Sequence, residues 1–268
     1  MFAVSFFVAP FSRIAKHRQI LYRTTLVEMK SAYAGSLFGL FWYVLGPVLL
    51  FAVYALVYAV IFRIRPAGML VEEYVLYVFS GLVPFLSFSA ALTAGSSSLI
   101  TNKQALLNTV FPSELIPVRS VVVASASLLP GIIILLLGDI AFSRPSLYFS
   151  GVIVTAVLQV LFVIGLSWIL SLATLLIRDI QQMLSYIVML LLIISPIAYT
   201  PEMIPSHLKA MMYLNPLYYF VINYQSFVIL NQAPPLYVLV MGAVMSVAVF
   251  CGGYLMYQKA KQVFYEFA

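Results

Sequence analysis

The chain of 268 residues is 64% hydrophobic and only 8% charged, with a formal net charge of +6, whereas soluble domains carry about 25% charged residues. A soluble domain of this size still exposes much of its surface to water, so the composition excludes a cytosolic globular enzyme. It also excludes a disordered chain, and the single cysteine, Cys251, excludes an intrachain disulfide framework.

The first 36 residues are predicted to form an amphipathic helix that lies in the cytoplasmic membrane interface. Apolar residues such as Phe11, Ile14 and Leu21 recur at helical spacing, and basic residues largely fill the other face. A simple polybasic anchor without a helix is the alternative.

Six apolar segments follow, each long enough, or nearly so, to cross a bilayer as a helix of about 20 residues. Their hydrophobicity is continuous rather than alternating, which excludes a transmembrane β-barrel and predicts an all-α integral membrane protein. The predicted spans are 39–62, 74–100, 120–138, 147–177, 181–199 and 236–257.

The positive charge predicts the orientation of these spans. With six spans, ten of the 14 Lys and Arg residues lie on the side of the N-terminus, and the whole excess of +6 lies there too. Cytoplasmic loops are enriched in Lys and Arg, so both termini are predicted to be cytoplasmic. The basic residues form no patch, so a nucleic-acid partner is not expected.

Residues 201–235 are predicted to form a re-entrant segment on the extracytoplasmic side, between spans five and six. Tyr213–Leu230 is mostly apolar but is interrupted near its centre by Asn223 and Gln225. Irregular backbone at membrane depth requires protein or a water-filled cavity around it. The alternative is a seventh span.

Motifs that would make the chain an enzyme are absent from the sequence. It has no G-x-x-x-x-G-K-[ST] phosphate loop and no acidic cluster suited to Mg²⁺, and its two histidines, His17 and His207, are expected on opposite sides of the membrane. The spans also lack a coupling-ion carboxylate; Asp139 is expected at a helix end near the outer interface. We therefore expect no catalytic, metal or cofactor site, and a transport process driven by a partner protein.

Aromatic residues at helical spacing follow the first two spans and are candidates for the lining of a channel, since their flat apolar faces suit sugar rings. The alternative is that these side chains belong to the core or face lipid. The candidates are Tyr43, Phe51, Tyr54, Tyr58, Phe62, Tyr74, Tyr77, Phe85 and Phe88.

Two cytoplasmic segments are candidate docking elements. One is 102–117, with Asn102, Lys103, Phe111 and Glu114; the other is the short turn at Arg178 and Asp179. Ordinary polar loops with snorkelling charges are the alternative.

Five segments then occur in a characteristic order: Met29–Trp42 followed by Pro47, Phe111–Pro117, Arg178–Ile180, Ser195–Tyr199 and Leu214–Leu217. Together they resemble the type-2 ABC exporter permeases for polysaccharides, over about residues 20–260. The resemblance implies a half-channel that pairs with a second copy of itself and with two copies of a separate ATPase subunit, which binds ATP and Mg²⁺. It also implies coupling to the ATPase through Asn102, Lys103, Phe111, Glu114, Arg178 and Asp179.

The resemblance further implies that the re-entrant segment gates the exit, with Ser195, Pro196, Tyr199, Asn215 and Pro216 as gate residues. The expected cargo is a lipid-linked polysaccharide, most of all the O antigen of lipopolysaccharide, exported across a bacterial inner membrane in contact with its lipids. Capsular polysaccharide or teichoic-acid export, export of drugs or small lipids, and a glycan-assembling membrane enzyme are the alternatives.

Overall fold

In the computed structural model, the described residues are 2–57, 69–103, 111–142 and 147–264. The described residues contain α-helices and short 3-10 turns but no strand. The helices are α1 (Phe2–Lys16), α2 (Arg18–Ala32), α3 (Trp42–Ala55), α4 (Val71–Thr101), α5 (Leu115–Ala124), α6 (Leu128–Phe142), α7 (Ser150–Leu176), α8 (Ile180–Ile194), α9 (Lys209–Leu214), α10 (Pro216–Val228) and α11 (Leu236–Phe264).

The N-terminal region forms two helices, where the sequence predicts one over residues 1–36. The break lies at His17, whose amide bonds Ile14 O at 3.2 Å instead of reaching back one full turn. In a continuous helix the His17 amide would bond Arg13 O. Here the ring nitrogen Nδ1 of His17 lies 3.0 Å from that oxygen instead. The side chain thus replaces a backbone hydrogen bond of a continuous helix, and α2 begins at the next residue, Arg18.

Within the described ranges, four helical segments are long and apolar enough to cross a membrane, which confirms the prediction of a helical membrane protein: Val71–Thr101, Leu115–Ala141, Leu147–Leu176 and Leu236–Lys261. Two further apolar helices, Gly39–Tyr54 and Ile180–Ile194, are shorter. α8 ends at Ile194, before the predicted residue 199, because Pro196 cannot continue a helix.

α7 lies at the centre of the protein core and packs extensively against both α11 and α4. α7 and α11 pack most extensively, at a crossing where Gly165 of α7 contacts Gly253 of α11. Small residues at such a crossing allow two helix backbones to approach closely within a membrane. One turn before Gly165 on α7, the ring of Phe162 lies between those of Phe88 and Phe220, with centroids 6.3 and 5.7 Å apart.

α10 is enclosed by other helices, because nearly all of its residues are buried. Phe220, near its start, packs on Phe162 in the middle of α7, and Phe227, near its end, packs over Gly151 at the beginning of α7. α10 therefore runs antiparallel to α7. Phe162 lies about 18 Å along the axis from the start of α7, at 1.5 Å per residue.

Asp139 lies in the last turn of α6, near a helix end as the sequence predicts, and its side chain is fully buried. Neither carboxylate oxygen has a hydrogen-bond partner among the described residues. An ionised carboxylate buried without a partner in a membrane span is costly, by about 2–3 kcal/mol or more. We therefore expect Asp139→Asn to raise the melting temperature of the detergent-purified protein by a few degrees.

The control for Asp139→Asn is Asp179→Asn, which removes the same charge from an exposed turn and should leave the melting temperature unchanged. A lower melting temperature for Asp139→Asn would contradict this expectation. It would indicate a cationic partner for Asp139 outside the described residues.

Candidate functional site

Glu114 is the centre of a three-residue ion-pair cluster formed with residues of α1 and α11. Its side chain is only 1% exposed, yet Oε1 accepts a 2.7 Å hydrogen bond from Arg13 Nε and Oε2 a 3.0 Å bond from Lys261 Nζ. Arg13 belongs to α1 and Lys261 to the last turn of α11. The cluster thus joins α1 and α11 to the residue that precedes α5.

The cluster keeps Glu114 ionised at neutral pH. Burial raises the pKa of Glu114, but hydrogen bonds from Arg13, from the backbone and from Lys261 outweigh it, so the pKa lies below its ordinary value of 4.5. The hydrogen bond with Glu114 also raises the pKa of Arg13. Because the folded-state pKa of Glu114 is lowered, its contribution to stability is present above its unfolded-state pKa and is lost as the pH falls through the folded-state value.

The backbone around Glu114 is also tied to the core. Trp168 Nε1 of α7 donates a 2.9 Å hydrogen bond to Glu114 O, and its ring lies 5.2 Å from the ring of Phe250 on α11. Phe11 of α1 also packs on Phe250, with the ring centroids 4.8 Å apart. A movement of Glu114 is therefore coupled by direct contact to α1, α7 and α11.

Arg119 organises a second cluster beside the first. It forms an ion pair with Glu28 of α2 and donates a 2.5 Å hydrogen bond from Nη2 to Asn102 Oδ1 at the end of α4. Its guanidinium also lies 5.9 Å from the centre of the Phe111 ring, a cation–π distance. The structure thus brings Asn102, Phe111 and Glu114 into one region, although residues 104–110 of the predicted docking segment lie outside the described residues.

A groove of about 400 Å³ opens beside this cluster between α2, the end of α4 and α5. Its lining includes Arg23, Ser31, Thr101 and Asn102. Lys103, Arg178 and Asp179 are exposed, the last two in a turn closed by a 3.2 Å hydrogen bond from Gln181 N to Arg178 O. These three side chains are available to a partner, whereas Glu114 is not.

The predicted gate residues surround the break after α8. Asn215 is buried; its Oδ1 accepts a 2.9 Å hydrogen bond from Leu217 N and so caps α10, with Pro216 in the first helical position. Asn215 Nδ2 donates to Ser195 Oγ at 2.8 Å, and Ser195 Oγ donates to Leu191 O at 2.6 Å. One side chain therefore connects the end of α8 to the start of α10.

Two residues of the predicted aromatic stripe donate hydrogen bonds to the non-helical residues that follow α8. A helix end leaves backbone carbonyls without partners, which must be satisfied when buried. Tyr74 Oη donates to Ala198 O at 2.9 Å, and Tyr77 Oη donates to Tyr199 O at 3.2 Å. Gln225 Nε2 of α10 donates to Pro196 O at 2.8 Å, and the Tyr199 hydroxyl reaches back to Ile194 O at 2.7 Å.

The remaining stripe residues have different environments. Phe51, Phe85 and Phe88 are buried in the core of the single chain, whereas Tyr43 and Tyr54 are half-buried. Tyr58 and Phe62 lie outside the described residues. The channel-lining role stays a prediction for the whole stripe.

Several residues at these sites do not stand out in the sequence. Arg13, Lys261 and Arg119 look like ordinary cytoplasmic charges, and Trp168 like a core residue. Their common feature is contact with the 111–117 segment or its neighbours, across separations of up to 147 residues. No three His, Cys, Asp or Glu side chains in the described part of the chain are placed to hold a metal ion.

The chain is similar in sequence to known proteins over most of its length. The sequence model of the ABC-2 type transporter family matches residues 21–229, well over half of the chain. Two proteins of Klebsiella pneumoniae, both named O-antigen export system permease protein RfbA, are 30% and 29% identical over 192 residues, 71% of this chain and 72% of each relative. A protein of the same name from Myxococcus xanthus is 24% identical over 254 residues, 94% of this chain and 96% of the relative. The chain therefore belongs to the ABC-2 type transporter family.

Proposed function

We propose that this chain is the membrane-spanning permease subunit of an ATP-driven exporter that moves lipid-linked O antigen across a bacterial inner membrane. The observation that carries the proposal is the similarity to three O-antigen export permeases, one of them along almost the whole chain. The chain has no phosphate loop of its own, so a separate ATPase subunit binds ATP and Mg²⁺ and supplies the energy.

The proposed topology has six spans with both termini in the cytoplasm. α3 and α8 are the two shorter spans, and residues 201–235 form the re-entrant segment on the outer side. The antiparallel packing of α10 on α7, with Phe220 against Phe162, supports this interpretation. It allows α10 to rise from membrane depth toward the outer surface while helices surround it, as irregular backbone within a membrane requires.

The proposed exporter contains two copies of this chain. α8 supports this interpretation, since Leu184 is its only buried residue and its exposed face is mostly apolar, with Gln182 and Ser185 as polar residues near its start. The exposed apolar residues are Met183, Tyr186, Ile187, Met189, Leu190 and Ile193. A second copy facing this helix would enclose a path between the two chains, and lipid would cover the surfaces that remain.

The ATPase acts on the cytoplasmic surface formed by Lys103, the Arg178–Asp179 turn and the groove between α2, α4 and α5. A partner shifts a conformational equilibrium only when it binds the two states with different affinity. Exposed charges beside a groove suit such a partner, because they can form and lose contacts as ATP is bound and hydrolysed. At the outer end, the break around Ser195 and Asn215 is the proposed exit gate.

Co-purification from native membranes tests this proposal. We expect an ATPase subunit in equal amount with this chain, and loss of surface O antigen when the chain is deleted. Arg178→Ala combined with Lys103→Ala should lower export by roughly fivefold or more, a typical coupling between two sites. Glu72→Ala, which removes an exposed charge at the start of α4, is the control and should leave export unchanged.

Two outcomes would contradict the proposal. One is a stable particle that contains no ATPase subunit. The other is normal O-antigen display in cells that lack the chain.

A further inference from the structure

Among the described residues, the Glu114 cluster contains two cations for one anion, and the two cations belong to the first and the last helix. Arg13 is 40% exposed and Lys261 25% exposed, whereas Glu114 is 1% exposed. Water therefore solvates the two cations in part but hardly reaches the carboxylate. The carboxylate depends on the cations far more than either cation depends on the carboxylate.

Both cations lie outside the part of the chain that the family model matches, residues 21–229, whereas Glu114 lies inside it. Arg13 extends from the helix that precedes this region, and Lys261 from the end of the last span. α1 and α11, which extend beyond the matched region, therefore bind the 111–117 segment, which lies within it. An apolar contact adds to these ion pairs, since Phe11 of α1 packs on Phe250 of α11, which also contacts Trp168.

From this geometry we propose that Arg13 and Lys261 are positioning residues that hold the 111–117 segment through Glu114. The inference rests on the proposed function. When the ATPase displaces the segment, the displacement passes through the carboxylate to α1 and α11 and through the Glu114 carbonyl to Trp168 on α7. Glu114 transmits the movement from inside the protein and does not itself contact the ATPase.

The excess of cations predicts an order of effects. Loss of one cation leaves an intact ion pair, so Arg13→Ala or Lys261→Ala alone should have a small effect. Loss of both leaves a buried carboxylate without a cationic partner, so the double variant should lose far more than the two singles together, with an excess of about tenfold. Arg13→Lys with Lys261→Arg preserves both charges and should preserve function.

A triple variant separates positioning from simple structural support. Adding Glu114→Gln to the double cation variant removes the buried charge, so the melting temperature should recover. The ion pairs that connect the 111–117 segment to α1 and α11 are still missing. Export per ATP hydrolysed by the complete transporter should therefore stay about tenfold below that of the unaltered chain. Recovery of export together with the melting temperature would overturn the proposal.

A second measurement on the full chain needs no ATPase. Ser113 is 1% exposed, and Cys251 is the only cysteine, so Ser113→Cys in a Cys251→Ala background reports the exposure of the segment to a water-soluble thiol reagent. Labelling should be slow with both cations or with one, and about tenfold faster in the double and triple variants. Equal labelling in all variants would overturn the proposal. Failure to find an ATPase with the unaltered chain would count against the proposed function alone.

Discussion

Gly253→Ala is expected to force α7 and α11 apart and to lower the melting temperature of the purified protein substantially. A Cβ at Gly253 would overlap the carbonyl oxygen of Gly165 and lie 2.8 Å from its carbonyl carbon. Both are backbone atoms and cannot rotate away as a side chain can, so the whole helix crossing has to shift. Overpacking of this kind costs about 1–3 kcal/mol, and about 3 kcal/mol corresponds to roughly 6–12 °C for a protein of this size.

Gly252→Ala is the matched control, because the two glycines are adjacent on the same helix. A Cβ at Gly252 would meet no atom within 4 Å. Alanine favours a helix over glycine by about 1 kcal/mol, so this variant should keep or slightly raise the melting temperature. Equal melting temperatures for the two variants would show that the Gly165–Gly253 contact does not limit the approach of α7 to α11.

Asn215→Ala is expected to detach the start of α10 from the end of α8 and to impair export. The change removes an N-cap, worth about 1 kcal/mol, and the hydrogen bond to Ser195, worth about 1 kcal/mol more. The melting temperature should therefore fall by roughly 5 °C. Surface O antigen, measured in cells with matched amounts of protein, should fall further than the loss of stability alone explains.

Two single substitutions divide the roles of Asn215. Asn215→Ser keeps a capping oxygen for α10 but cannot reach Ser195 in the same way, and Ser195→Ala keeps the cap and removes the partner. Each should cost about half of the loss seen for Asn215→Ala, and the Asn215→Ala/Ser195→Ala pair should show a coupling energy of about 1 kcal/mol. Full additivity would mean that the 2.8 Å bond between the two side chains does not connect the helices energetically.

The sequence indicated the charged segments that join the spans but did not reveal which way their side chains face. Charged residues between two spans indicate a loop surface, and Lys103, Arg178 and Asp179 are indeed exposed. Glu114 carries the same kind of signal, yet it is buried. Its partners lie 101 and 147 residues away along the chain, and no local pattern relates positions at such distances.

The aromatic stripe illustrates the same limit inside the membrane. Helical spacing places Tyr74 and Tyr77 on one face of α4, but the spacing does not say what that face contacts. The face meets the non-helical residues after Ile194, whose carbonyls accept hydrogen bonds from both hydroxyls. Only the position of Pro196, beyond the end of α8, hinted that unsatisfied backbone groups would be there.

The sequence by itself determined that this is a helical membrane protein and, through short motifs in order, the family to which it belongs. Both properties follow from local quantities: the length of apolar runs that must satisfy their own backbone hydrogen bonds in lipid, and residue types at fixed spacings. The tertiary structure alone decided that α1 and α11 meet at Glu114, that Asn215 joins α8 to α10, and that Gly165 and Gly253 set the approach of α7 to α11. These contacts depend on how helices distant in sequence pack, because close packing selects partners by shape and charge across the whole fold rather than along the chain.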